Sequence, residues 1–176
     1  GVWNQKSRAY NGEGLKVLNV PVLKAHSIYG VTACVKHYMG VASGRLTGRR
    51  AHRSVGRGGM GTEIAGTRMP TINVLDAIWV NANPGTGPRS TYEEATRLNL
   101  VMAGMDPIAL DYWASKHVLM QAARLRGHED LSMIDPDNAE TGSLGIWLGL
   151  SMTELRKAGH EVTMDENRMN VYTVDV

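Results

Sequence analysis

The sequence predicts an α/β domain: a mixed or mostly parallel sheet flanked by helices, with a long Gly/Arg-rich loop. Three observations predict it. Apolar runs at 15–23, 71–80 and 98–103, the first two rich in β-branched residues, read as strands. Segments with apolar spacing near 3.6 residues alternate with them and follow them, as helices do in a sheet with some parallel pairing. The length, 176 residues, suits one domain covering 1–176 with a core that needs no staples.

The first strand, Leu15 to Leu23, carries Pro21, which marks its end or a sheet edge. Ser27 then opens a predicted helix with Ile28, Val31 and Val35 on one side, closed by Gly40. The stretch 40–66 holds eight of the twenty glycines and five arginines, and no element is expected there. A loop beyond about 12–15 residues is usually functional. A strand over 71–80 follows, then a Gly/Pro turn region, then a strand over 98–103. Asp106-Pro107 is a helix start, a capping acid followed by Pro at the first helical position, and the helix should stop at Gly127. A further helix is expected from Thr141 or Ser143 to Ala158, and a last strand at 170–174.

The net charge of +2 hides a division. Residues 1–62 hold ten Lys/Arg and one acid, a charge of +9; residues 63–176 hold nine and sixteen, a charge of −7. No carboxylate lies between Glu13 and Glu63, so this run should attract anions. The single cysteine, Cys34, excludes an intrachain disulfide and any iron–sulfur cluster ligated by this chain alone. No run of about 18 apolar residues is present to span a membrane. The start, Gly1 to Lys6, lacks Met and any leader-like run, and the end follows a strand-like segment. A processed chain or a piece of a longer one is therefore expected, with the cytoplasm favoured over export.

Ligands of open α/β sheets gather beyond the carboxyl ends of the strands. Lys24 and His26 follow the first strand there, Asp76 lies late in the second, and Asp106 and Asp111 follow the third. We expect Lys24, Lys36, Arg49, Arg50 and His52 to hold an anion. His26, Asp76 and Asp106 are acid/base or positioning candidates, and Asp106 with Asp111 would hold a divalent metal. The bland roles are an N-cap for Asp106, a helix-surface pair for Asp111 and a core position for Cys34. The six histidines show no tight metal spacing, although His26 and His52 would meet if the long loop folds back. Gly56-Arg57-Gly58-Gly59-Met60-Gly61 follows no strand and so fails as a dinucleotide fingerprint. Nucleic acid is an unfavoured partner, because Met39 to Ile78 contains no aromatic residue to stack on bases.

Several segments taken together resemble the domain-of-unknown-function family 362. They are Val20-Pro21-Val22-Leu23-Lys24-Ala25-His26-Ser27, Gly30-Val31-Thr32-Ala33, Lys36-His37-Tyr38-Met39-Gly40, Thr71 to Ile78 with Gly87-Pro88, and Ala103 to Asp111. The resemblance covers about 15–123. His37 departs from it, since Asn usually follows that lysine in the family. The family has no settled activity, and its members are often joined to ferredoxin-type iron–sulfur modules. The resemblance thus implies a redox setting with any cluster on another segment or subunit, and its pattern includes Lys24, His26, Lys36, Asp76, Asp106 and Asp111. Three functions follow as expectations. The chain binds an anionic small molecule, with or without a divalent metal; it docks an acidic or iron–sulfur partner; or its Arg/Gly loop binds nucleic acid.

Overall fold

The computed structural model describes residues 2–12, 14–41, 51–85 and 95–175. Its centre is a three-stranded mixed sheet of β3 (Leu18–Asn19), β6 (Ile72–Asn81) and β7 (Ala95–Gly104), in the order β3-β6-β7. β3 runs parallel to β6, and β7 runs antiparallel to it. The fold is α/β, as the sequence predicts. The strand expected over 15–23 keeps one register along β6: Leu18 faces Ile72, Asn19 faces Asn73 and Val22 faces Asp76. Thr71 donates to the Val17 carbonyl, and Leu23 to that of Asp76. Pro21, which has no N–H, accepts from Asp76 through its carbonyl.

The strand residues alternate between two environments. Asn19, Pro21 and Leu23 are buried with Asn73, Leu75, Ala77 and Met102, whereas Leu18, Val20, Val22 and Val101 are exposed. The inner face packs on α3 (Pro107–Ala114), which continues through a π turn at Ser115–Leu119 into α4 (Met120–Leu125). Met120 N–H reaches back to the Ser115 carbonyl, the five-residue spacing that defines such a turn. Asp106 caps α3, with Pro107 at its first position. α5 (Leu144–Lys157) follows, with Leu144, Trp147, Leu148 and Leu155 buried. Both helix expectations therefore hold to within a residue or two.

Three expectations are corrected. The helix expected from Ser27 is instead a hairpin, β4 (Lys24–His26) with β5 (Gly30–Thr32), followed by a short 3-10 turn at Lys36–Tyr38. Tyr29 and Gly30 have φ of 62° and 73°, a left-handed pair that no helix contains. Gly30 also lies against the Met133 carbonyl, where any Cβ would collide. The stretch 40–66 is not all loop: α1 (Ala51–Val55) and α2 (Gly59–Thr67) form within it, and Met60 and Ile64 enter the core. Residues 42–50 of the expected Gly/Arg loop, with Arg45, Arg49 and Arg50, lie outside the described residues. Finally, 170–174 is not a strand, because no described neighbour pairs with its backbone. A separate antiparallel pair, β1 (Val2–Asn4) with β2 (Ala9–Asn11), stands at the start. Among the described residues, no helix is long and apolar enough to cross a membrane.

Candidate functional site

β4 leaves the parallel strand directly after Leu23, which carries Lys24 and His26 beyond the point where Leu23 bonds to Asp76. The hairpin returns the chain through Thr32 to the 3-10 turn, which brings Lys36 under the β4–β5 loop. Lys36 is 2% exposed, and its Nζ donates to the Ile28 carbonyl at 2.7 Å. α1 adds His52, whose ring centre lies 6.0 Å from that of His26. Four sequence candidates, Lys24, His26, Lys36 and His52, thus form one group.

The electrostatics of this group are one-sided. His26 is held down at about 4, first by burial and then by the charges of Lys36, His52 and Lys24. Its Nδ1 accepts the Ile28 N–H at 2.9 Å, so the neutral ring carries its hydrogen on Nε2 and remains a donor. Lys36 is lowered to about 8 by burial and by the Lys24 charge. Burying cations beside one another is costly unless an anion joins them.

The carboxylate candidates have other partners. Asp111, 1% exposed, accepts from the N–H groups of Cys34 at 2.7 Å and Val35 at 2.8 Å, and so fixes the approach to the Lys36 turn. Burial raises it to about 7 despite those two bonds. Asp106 accepts from Ile108 and Ala109 through one oxygen and from Thr163 through the other. Burial raises it as well. Asp76 lies inside β6, and its Oδ1 accepts the Ile78 N–H at 2.8 Å where the strand bulges. Because β7 is antiparallel, Gly104 pairs with Asn73. Asp106 therefore sits at the end of β6 opposite to the one that Lys24 approaches. The sheet does not gather Asp106 with the cationic group. Among the described residues, no three His, Cys, Asp or Glu side chains are arranged to hold a metal ion. Cys34 is buried, and its thiol is pushed up by burial and by Asp111.

Sequence reasoning misses a buried polar chain beside the group. His37 Nδ1 pairs with Asn19 Oδ1, Asn19 Nδ2 donates to the Cys34 carbonyl and to Asn73 Oδ1, and Asn73 Nδ2 donates to the Gly104 carbonyl. The available signal is asparagine inside two apolar strands, where a buried amide needs partners.

No curated protein and no solved structure was found to match the chain. A family profile described as a domain of unknown function (DUF362) matches residues 15–116, a span that includes Lys24, His26, Lys36, His52 and Asp111. The chain therefore belongs to the DUF362 family.

Proposed function

We propose that the chain binds a small anion, a phosphate or a compact carboxylate, at Lys24, His26, Lys36 and His52. The observation that carries this reading is His26, an imidazole kept neutral by burial and by three neighbouring basic groups. Lys24 and His52 are half-buried and open to solvent, His26 offers Nε2–H, and Lys36 acts through its charge from below. The acid-free run from 14 to 62 supports the same sign, and Arg49 and Arg50 belong to it. No metal is needed for this binding.

An NMR titration with inorganic phosphate tests it. We expect saturable shifts of the His26 and His52 ring signals, and a His26 pKa that rises as the anion joins the cations. Lys24→Ala should abolish the response while changing stability by about 0.5 kcal/mol or less. An unaltered response in that variant overturns the reading.

The charge division favours a second reading, in which the same basic face docks an acidic partner such as an iron–sulfur protein. Such a complex should weaken steeply as salt rises. A salt-independent complex would count against it.

A further inference from the structure

A cavity of about 550 Å³ lies away from the cationic group, within the range of ligand sites. Its two walls are runs of consecutive residues, 100–106 on one side and 168–174 on the other. The face of a strand would contribute every second residue, so consecutive residues mean that the cavity runs along the strand's edge. Among the described residues, β7 is an outer strand of its sheet, bonded to β6 on one side only. Across the slot, 170–175 lies outside any helix or strand and makes no backbone hydrogen bond to a described residue. The slot is thus flanked by the outer edge of β7, at whose end the Gly104 and Met105 carbonyls accept from Asn73 Nδ2, and by 170–175, with Leu110 and Trp113 also lining it. Seven extended residues run about 23 Å.

Charge narrows the occupant. The slot is lined by one carboxyl and one guanidinium side chain, Asp106 and Arg168. Both Asp106 oxygens are engaged by backbone N–H groups. Arg168 is exposed and makes no ion pair among the described residues.

We propose that this slot binds an extended peptide of about six residues, with alternating apolar side chains and a carboxylate that meets Arg168. The peptide adds as a fourth strand beside β7. Backbone bonds supply the affinity, and the apolar lining selects alternate side chains. This site is independent of the anion site and survives if that reading fails.

The probe is a fluorescein-labelled Asn-Val-Tyr-Thr-Val-Asp peptide, the chain's own 170–175 sequence, followed by fluorescence polarisation on the full chain. Saturable binding is expected. Two further peptides carry N-methyl groups on one or the other alternate set of residues. At least one should bind tenfold or more weakly, since several backbone bonds are lost. Arg168→Glu should weaken binding about threefold or more, with recovery when the peptide Asp is replaced by Lys. No saturation by ~1 mM, a ceiling equivalent to about −4 kcal/mol, overturns the proposal. So does equal binding of both methylated peptides. Hydrogen exchange gives a further check: slow exchange of both alternate sets of β7 amides in the free protein would mean that the chain's own 170–174 already covers the edge, and would also overturn it.

Discussion

His26 and Asp111 are buried on either side of the 31–36 segment, and their titrations act in opposite directions. The His26 pKa is lower in the fold, about 4 against an ordinary 6.5, so the unfolded chain binds more protons between those values. Its contribution to stability is complete above pH 6.5 and is lost as the pH falls towards 4. The Asp111 pKa is raised to about 7 from 3.8, so the folded chain holds the extra proton. Its contribution is complete below pH 3.8 and is lost as the pH rises through 7. His26→Gln should therefore lose less stability than the parent between pH 6.5 and 4.5, as read by urea midpoints at each pH. A parallel pair of profiles would contradict this account. Asp111→Asn is expected to cost about 1–3 kcal/mol in acid, because the Cys34 and Val35 N–H groups go to different Asp111 oxygens and the amide nitrogen that replaces one of them would face a donor. That cost should shrink towards pH 8, where the parent carries a buried charge. The sequence makes Lys24 and His26 legible, since both follow the first strand signal; Lys36 lies in a stretch that reads as helix and joins them only through the acid-free run and the family resemblance. The role of Asp111 is not legible, because its partners lie 76 and 77 residues away.

At the scale of elements, glycine decides what local pattern cannot. α2 meets α5 at Gly61, where a Cβ would run into the Ser151 backbone carbonyl. Gly66, on the same helix, has open space for 4 Å around the place a methyl would take. Helix propensity alone favours Ala over Gly by about 1 kcal/mol at both positions. Gly66→Ala should then stabilise by up to ~1 kcal/mol, whereas Gly61→Ala should destabilise by about 1–3 kcal/mol as the helices are forced apart. Thermal melts of the two variants check the opposite signs; equal shifts would refute the close approach. The same contact explains why α2 is hidden in the sequence: glycines that permit packing look like glycines that break helices. β6 is legible because β-branched and aromatic residues persist through its bulge, and β7 by its apolar residues Leu98, Leu100, Val101 and Met102. The β4–β5 hairpin is not, because Ile28, Val31 and Val35 fall at helical spacing while the reason for Gly30 is the Met133 carbonyl, a tertiary contact. The final strand fails for the reverse reason: 170–174 has the composition, but a strand needs a bonded neighbour.

Over the whole molecule, the family match ends at 116 but the core does not. Ile134, Leu144, Trp147, Leu148, Leu155 and Val162 are buried in the same cluster as Leu23, Val31 and Leu75. The later segment also holds the site's supports. Trp147 Nε1 donates to the Tyr29 carbonyl at 2.8 Å, at the turn of the β4–β5 hairpin. Ser115 donates to the Ile134 carbonyl, and Thr163 N–H donates to Asp106. Lys116 joins Asp137 and Glu166, tying 166–168 back to the helix after α3. Losing a single large core side chain costs about 2–5 kcal/mol, and a domain's net stability is only about 5–15 kcal/mol. Truncation after Gly127 removes all six of these core residues at once, so residues 1–127 should give no dispersed amide spectrum and no cooperative melt. A folded fragment would show that the matched region is self-sufficient. Trp147→Phe asks the finer question, because it retains a large aromatic ring and deletes the donor. It should cost about 0.5–1.5 kcal/mol, the loss of one hydrogen bond, because the Tyr29 carbonyl still accepts the Val31 N–H. It should also weaken the phosphate response of His26, since Tyr29 lies in the turn that follows His26. A stability loss with an unchanged phosphate response would mean that the hairpin holds its cations without help from the acidic half.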